Sequence, residues 1–500
     1  MSEKAVIIVT VCLYVLVMAG VAVYSLGKAK RVSDLTVGGR NAGAWLSALS
    51  YGTAYFSAVM FVGYAGATGW SFALWGILAG LGNAVFGSYL AWKLLARRTR
   101  DISRRLKIKT MPQLFEERYA SPGLRVFSAA VMFVFLIPYS ASVYKGLASV
   151  CKVVLDIDET ACMIIIAAVS ALLLVFGGYL AQVRADFLQG IVMMVGVSLM
   201  IFFVVRCDSV GGISGIIDYA GSGGLPKLSA GEWVTLSATV LMTSFGTWGL
   251  PQMVQKYFGI RDDAEAKKGI IISTFFALLV AGGGYFIGSL AHMFYSELPE
   301  GGVDYLVPNM LARASLPSVL LGVILVLLIS ASVSTLSSIS LTASSVLSMD
   351  IIKNKLFRNM KDKKLTVVIK VLCLMFVACS YLVANTDTPI LDMMSYSWGI
   401  ISGSFMAPYV LALYSSKISR AGAWSAVLTG FAIAIIPAGS KALLLAGATG
   451  SALTYLAGKG AVFACAAMIS SFIVCRVVSV FTKDGHSTDL FYGKESVINA

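Results

Sequence analysis

The residues best suited to bind an ion form a run of hydroxyls inside an apolar segment, Ala331-Ser-Val-Ser-Thr-Leu-Ser-Ser338. Each polar group needs a partner in lipid, where an unpaired hydroxyl is costly. Ser334 shares a helical face with Ser337 and Ser338, and Thr335 lies beside it. Hydroxyls, together with carbonyls freed by a helix break, can bind a small hard cation without bringing a full charge into the membrane. The pattern indicates a sodium site.

The composition is that of a polytopic membrane protein. The chain has 500 residues, of which 58% are hydrophobic and 13% are charged, and its mean hydropathy is +0.83. Soluble proteins carry about a quarter charged residues. We therefore predict an all-α fold with about 13 membrane spans of roughly 20 apolar residues each. They lie near 5–26, 44–68, 71–95, 126–151, 160–182, 185–206, 232–254, 269–293, 317–348, 365–385, 392–415, 421–440 and 459–481.

The basic residues predict the orientation of the chain. Nine Lys and Arg residues lie in 97–125 and six lie in 353–364, and both segments fall on the same side under this count of spans. Basic loops face the cytoplasm. We therefore expect a multi-pass protein of the plasma (inner) membrane, with its N-terminus outside and its C-terminus cytoplasmic. The net charge of +14 then follows topology and argues against a nucleic-acid partner.

Two of the predicted spans contain interruptions. Ser50–Ser57 breaks the second span and Thr243–Pro251 breaks the seventh. Gly and Pro loosen the helix ladder and free backbone groups. Paired broken helices at corresponding places indicate the binding site of an inverted-repeat transporter. The alternative is that the glycines only allow close helix packing.

Several motifs in a fixed order make the chain resemble the sodium:solute symporter family, over about Val6 to Val478. This family includes the proline, pantothenate, iodide and sodium–glucose carriers. The motifs are Val37–Arg40, Gly177–Asp186 with Gln189, Gly249–Lys256, Ser334–Ser338 and Trp398–Arg420 followed by 421–430.

The resemblance implies a LeuT-type fold of two inverted five-helix repeats within one transmembrane domain, 1–500. The expected parts are an extra N-terminal helix and loop (1–41), the first repeat (42–206), the second repeat (231–416), C-terminal helices (417–482) and a cytoplasmic tail (483–500).

The resemblance also implies the ligands of one sodium ion. By position, they are the backbone carbonyls of Thr53, Phe56 and Ala331 and the hydroxyls of Ser334 and Thr335. This set agrees with the pattern of the residues, since a broken helix supplies carbonyls and the later helix supplies hydroxyls.

Some members of the family bind a second sodium ion. The matching residues here are Asp186 with Ser334, Ser337 and Ser338. The alternative for Asp186 is an interfacial carboxylate, because the nearby Arg184 suggests the cytoplasmic edge. Whether one or two sodium ions are coupled stays open.

The substrate pocket departs from that of the proline carriers. Tyr139 matches a pocket tyrosine and Pro251 matches a proline at the second break, but Thr243 and Thr247 stand where those carriers have aromatic rings. Smaller, hydroxyl-bearing residues make the pocket roomier and more polar, which argues against proline as the solute. Residues beside the breaks complete the substrate-binding candidates: Tyr55, Ser57 and Trp248.

Lys145 is a further substrate-binding candidate. It lies well inside the fourth predicted span, and a charge at that depth is costly unless it is paired, so a functional role has to be considered. It could bind a substrate carboxylate, pair with an acid such as Asp186, or extend its ammonium to water.

These observations predict a sodium-coupled symporter that imports a small, carboxylate-bearing solute, such as an amino acid, an organic acid or a sialic-acid-like compound. The expected partners are that solute, Na⁺ and the lipid bilayer. The sequence has no phosphate loop, HExxH or GxSxG, which argues against an enzyme and an ATP-driven pump. A proton-coupled carrier of the same fold and a membrane solute sensor remain alternatives. The oligomeric state is left open.

Overall fold

The computed structural model describes residues 3–25, 40–314, 316–386, 388–482 and 488–493, without the side chains of residues 3, 22, 23, 25, 172, 173 and 175–181. Most of the predicted N-terminal loop, including Val37 to Gly39, and most of the predicted tail lie outside these ranges. Within them, nine helices are long and apolar enough to cross a membrane. The predicted all-α polytopic fold is therefore confirmed.

The first half of the chain carries one broken helix. Helix α2 ends at Tyr55, and the chain resumes as a wide helical turn, Val59–Tyr64, that leads into α3. The helices are α1 (Glu3–Ser25), α2 (Ala44–Tyr55), α3 (Ala65–Phe72), α4 (Ile77–Gly82), α5 (Arg97–Arg105), α6 (Met111–Tyr119), α7 (Pro122–Leu155), α8 (Glu159–Arg206) and α9 (Gly212–Tyr219), with wide turns at Asn83–Leu90 and Trp92–Ala96 between α4 and α5.

The second half repeats the pattern of a broken helix followed by long ones. The helices are α10 (Ala230–Phe245), α11 (Pro251–Phe258), α12 (Asp263–Ser289), α13 (Ala291–Phe294), α14 (Leu306–Arg313), α15 (Ser318–Val346), α16 (Asp362–Ala384), α17 (Ile390–Tyr414), α18 (Arg420–Leu445), α19 (Ser451–Ala457), α20 (Gly460–Phe481) and α21 (Asp489–Tyr492). We call α2 the first broken helix and α15 the hydroxyl helix.

Both predicted breaks are present. Phe56 leaves the helix in an extended conformation, with φ −97° and ψ 110°. Gly52 does not break the helix: the Phe276 ring lies 2.3 Å from where its Cβ would stand, so this glycine admits a neighbouring ring. In the second break, a 3₁₀ turn, Gly246–Gly249, precedes the extended Leu250, and α11 begins at Pro251. Proline suits that first helical position because it has no amide hydrogen to leave unpaired.

The stretch for which we predicted two spans, near 160–182 and 185–206, forms one helix, α8. Residues 179–189 contain neither Gly nor Pro, so nothing there interrupts the backbone hydrogen bonds. Arg184 and Asp186, which suggested the end of a span, lie inside this helix.

The two ends of the described chain lie at opposite ends of α7. The Lys4 ammonium is 3.6 Å from the carboxylate of Asp156, just after the helix ends. At its beginning, Arg125 lies 2.7 Å from Asp350, and Arg118, shortly before the helix, donates to the hydroxyl of Tyr492 at 3.1 Å. A 34-residue helix is about 50 Å long, which exceeds the thickness of a bilayer.

Candidate functional site

The first broken helix and the hydroxyl helix meet at Thr335. Its Oγ1 lies 3.1 Å from the carbonyl oxygen of Thr53 and 2.9 Å from that of Ala331. Thr53 is in the last turn of α2, where helix carbonyls lack amide partners ahead of them. Three of the five predicted ligands of the first sodium ion are thus brought together by two helices distant in sequence.

The other two predicted ligands flank this contact. Ser334 donates from its hydroxyl to Asp186 Oδ1 at 2.6 Å. Asp186 is the acid that we predicted for a second sodium ion, so this bond connects the two predicted sites. Phe56 is the first residue beyond α2, and its ring stacks on that of Tyr55 with centroids 4.0 Å apart.

Asp186 is fully buried among the helices, at 0% exposure. Its Oδ2 accepts hydrogen bonds from the hydroxyl of Ser50 and from the ammonium of Lys256, which is 3.1 Å away. Lys256 is itself only 2% exposed. The sequence reasoning named Lys256 only as the last residue of the motif Gly249–Lys256 and gave it no role, because the predicted seventh span ended at residue 254.

A small cavity of about 10 Å³ adjoins Asp186 and is lined in part by Gln189, Ser334 and Ser337. Among the described residues, the Ser337 hydroxyl and the Gln189 amide oxygen are buried without hydrogen-bond partners. Ser338 accepts a hydrogen bond from the Gln182 side chain instead. The structure thus groups Ser337 with Asp186 and Ser334, while Ser338 has a separate partner.

Lys145 donates to the carbonyl oxygens of Thr386 and Thr388, at 2.8 and 3.0 Å, in the segment before α17. Its proposed pairing with Asp186 is wrong, since Lys256 supplies that ammonium. Asp304, in the segment before α14, is also near: burial raises the pKa of its carboxyl, and the amide of Ile390 and the Lys145 charge act in the opposite direction.

The aromatic substrate candidates gather around Trp398, which was not among the predicted pocket residues. The rings of Tyr55 and Trp398 have centroids 6.0 Å apart, and Tyr139 meets Trp398 edge-on at 5.4 Å. Within the described chain, the Tyr139 hydroxyl and the Trp398 indole nitrogen are buried and have no hydrogen-bond partner. The two groups also lie within hydrogen-bonding reach of each other, with the indole as donor, so the Tyr139 hydroxyl proton is the donor available beside the first break.

The hydroxyls of the second break are used within their own helical segment. Thr243 donates to Thr239 and Thr247 to Ser244, each at 2.8 Å. The two threonines therefore add room to the pocket but their hydroxyl protons are already donated. Tyr55 links the two breaks, because its hydroxyl donates to the Thr243 carbonyl at 2.5 Å.

The remaining substrate-binding candidates lie within or directly beside the two breaks. The Ser57 hydroxyl accepts a hydrogen bond from the amide of Val59 at 3.3 Å. Trp248 donates from its indole to the carbonyl of Phe86 at 2.9 Å. Pro251 is the first residue of α11.

The paired breaks and the hydroxyl helix beside them define a membrane transporter of the inverted-repeat type. The sequence model of the sodium:solute symporter family matches residues 36–430. The chain belongs to this family, whose members are transporters.

Relatives and a solved structure agree with this assignment. The osmoregulated proline transporter OpuE of Bacillus subtilis is 26% identical over 86% of this chain and 88% of that protein. The sodium/pantothenate symporter of Haemophilus influenzae is 23% identical over 85% and 88%. A Na⁺-coupled sialic acid symporter, solved in a substrate-bound outward-open state, superposes with a TM-score of 0.76 at 18% identity, over 96% of this chain and 98% of that one. The fold is thus the LeuT-type 5+5 inverted repeat.

Proposed function

We propose that this chain is a sodium-coupled secondary active symporter of the plasma membrane that imports a small organic solute and leaves it chemically unchanged. The observation that carries the proposal is the Thr335 hydroxyl, which joins the hydroxyl helix to the Thr53 carbonyl of the first broken helix at 3.1 Å. The carbonyls of Thr53, Phe56 and Ala331 and the hydroxyls of Ser334 and Thr335 would hold the cotransported sodium ion.

The hydrogen bonds at this site suit a sodium ion. A hydroxyl coordinates a cation through its oxygen lone pairs, while its proton is donated elsewhere. Ser334 already donates its proton to Asp186 at 2.6 Å, so its lone pairs stay available. A sodium ion would replace the Thr335–Thr53 hydrogen bond with a bridge between both oxygens, because small hard cations prefer oxygen ligands.

Coupling follows from the position of this bridge. The first broken helix carries Thr53 in its last turn and Tyr55 at its end, beside the aromatic cluster. A sodium ion that fixes Thr53 also fixes Tyr55 and so favours solute binding. The effect is reciprocal, so solute must tighten sodium binding by the same factor. Ion and solute then leave together when the helix bundle rocks toward the cytoplasm.

We further propose that the solute bears a carboxylate. The Tyr139 hydroxyl is a buried donor beside the first break, and a carboxylate accepts a strong hydrogen bond from such a group. The relatives are named for proline and pantothenate and the solved structure for sialic acid, each of which carries a carboxylate. Lys145 supports this less directly, since its ammonium is engaged with the carbonyls of Thr386 and Thr388.

Thermal unfolding of the purified protein in detergent would test the proposal. Amino acids, small carboxylates, sugars, sialic acid and vitamins would each be added in sodium and in potassium. A transported solute is expected to raise the unfolding temperature in sodium only. A ligand at 100 times its Kd stabilises the native state by about 2.7 kcal/mol, which is readily measured.

Variants would then assign the ion site. Ser334→Ala and Thr335→Ala are expected to abolish the stimulation of uptake by sodium, whereas Ser345→Ala, a buried hydroxyl without a described partner on the same helix, should not. Sodium stimulation equal to that of the parent protein in either site variant would show that the site is misplaced. Solute binding that is indifferent to sodium would favour proton coupling or sensing, and accumulation of solute against its gradient would separate those two.

A further inference from the structure

Lys256 is a charge buried within the helix bundle. It lies in the last turn of α11 and is 2% exposed. Its ammonium is 2.7 Å from the hydroxyl of Ser50 in the first broken helix and 3.1 Å from Asp186 in α8. A buried ammonium is costly unless an acid pairs with it, and Asp186 supplies that acid.

Both oxygens of the Asp186 carboxylate are in turn engaged. One oxygen accepts the Ser334 hydroxyl at 2.6 Å, and the other accepts Ser50 and Lys256. The negative charge that a second sodium ion would need is therefore balanced by a cation that the chain itself carries. Asp186 remains able to orient Ser334 toward the first sodium site.

The neighbouring cavity shows what a second ion would meet. Its volume of about 10 Å³ is close to the space that one water molecule requires. Among the described residues, the Ser337 hydroxyl and the Gln189 amide oxygen have no hydrogen-bond partner. Both residues line the cavity, and neither carries a charge. A sodium ion there would share the Asp186 carboxylate with the Lys256 ammonium, which is 3.1 Å from Oδ2, and repulsion between like charges in a poorly solvated interior is strong.

We propose that Lys256 is a built-in cation that takes the place of a second sodium ion at Asp186. The transporter then couples one sodium ion to each solute, through the site at Thr53, Ala331 and Thr335. This inference rests on the proposed symport. It makes Lys256 the residue that determines the sodium stoichiometry, and it assigns the cavity beside Ser337 to water in the parent protein.

The test compares sodium dependence in four proteins, using the purified full chain in detergent and in liposomes. Initial uptake rate and unfolding temperature are measured against sodium concentration for the parent, Lys256→Arg, Lys256→Met and the double variant Asp186→Asn/Lys256→Met. The parent and Lys256→Arg are expected to follow one-site curves. Lys256→Met leaves Asp186 without its cation, so it should gain a second, cooperative sodium requirement. The double variant, which is neutral at both positions, should return to a one-site curve.

A one-site curve for Lys256→Met, or a two-site curve for the parent, would overturn the inference while leaving sodium symport intact. A parent protein indifferent to sodium would instead remove the proposed function itself. Lys256→Met has a buried, unpaired carboxylate and could fail to fold at low sodium concentration. Recovery of its fold at high sodium concentration would support the inference, and a fold that no sodium concentration recovers would overturn it, because sodium then cannot replace the Lys256 ammonium at Asp186.

Discussion

At the scale of single residues, Tyr139 carries the sharpest prediction about the solute. Its hydroxyl is buried beside Trp398 and has no partner among the described residues. Tyr139→Phe therefore removes a donor to the solute, and the protein group that the missing hydroxyl contacts is the indole of Trp398. We expect solute binding to weaken by about 10- to 150-fold, since a hydrogen bond to a charged group contributes roughly 1.5–3 kcal/mol. The unfolding temperature without solute should stay unchanged. Titration of solute in thermal unfolding measures both quantities.

Tyr144 offers a matched control on the same helix. Its hydroxyl is also buried without a partner in the described chain, but it is not in the aromatic group around Trp398. Tyr144→Phe should leave the solute affinity as it is in the parent. If both variants lose affinity equally, the effect is one of helix packing and the Tyr139 hydroxyl is not a solute ligand.

Residues that act together on one helix could be recognised from the sequence, whereas those that act across helices could not. Ser334 and Thr335 stand out because hydroxyls at helical spacing are unusual in an apolar span, and the structure places Thr335 against Thr53 as expected. Lys256 was missed because its partner, Asp186, comes from a helix 70 residues away in sequence. Nothing in the local sequence indicates such a pairing.

At the scale of helices, close backbone contact holds the segment after the first break against α12. A Cβ on Gly288 would lie 2.1 Å from the carbonyl oxygen of Ala65, and one on Gly69 would lie 1.8 Å from the carbonyl of Gly288. Neither backbone can move aside cheaply. Gly288→Ala is therefore expected to destabilise the protein by about 1–3 kcal/mol, as overpacking does. Thermal unfolding in detergent measures the change.

Gly282 is the matched control, six residues earlier in the same helix. A Cβ there would meet only the side chain of Leu278 at 3.8 Å, an ordinary contact. Gly282→Ala should be neutral or slightly stabilising, because Ala favours the helix more than Gly does. Equal destabilisation by both substitutions would mean that any added methyl group in α12 lowers the stability of the protein, and that the contact between α12 and α3 is not the cause.

The two breaks show how precisely the sequence alone locates the end of a helix. Pro251 and the glycines before it mark the second break, because proline lacks the amide hydrogen that would continue the preceding helix and suits the first position of the next one. In the first break, the sequence predicted only the range Ser50–Ser57, and within it the helix continues through Gly52 and is interrupted at Phe56. A glycine can either loosen a helix or admit a neighbour, and only the position of Phe276 distinguishes the two.

At the scale of the whole molecule, the basic residues gather at one end. Arg97 and Arg100 lie 2.7 and 2.6 Å from Asp263. Arg118 donates to Tyr492, near the end of the described chain. Lys4 lies at the other end of α7, beside Asp156. The segment 97–125, with its nine Lys and Arg residues, thus leads into the end of α7 opposite to Lys4, and the positive-inside rule assigns such a basic segment to the cytoplasm.

This asymmetry predicts that the N-terminus is outside and the C-terminus is cytoplasmic. Reporter domains that are active only in the cytoplasm or only outside it would be fused to each end in turn. A cytoplasmic reporter should work at the C-terminus alone and an external reporter at the N-terminus alone. Activity of the same reporter at both ends would contradict the opposite placement of Lys4 and Tyr492. The reverse pattern would keep that placement but exclude the positive-inside orientation, and the solute would then enter from the end that carries Arg97 and Arg100.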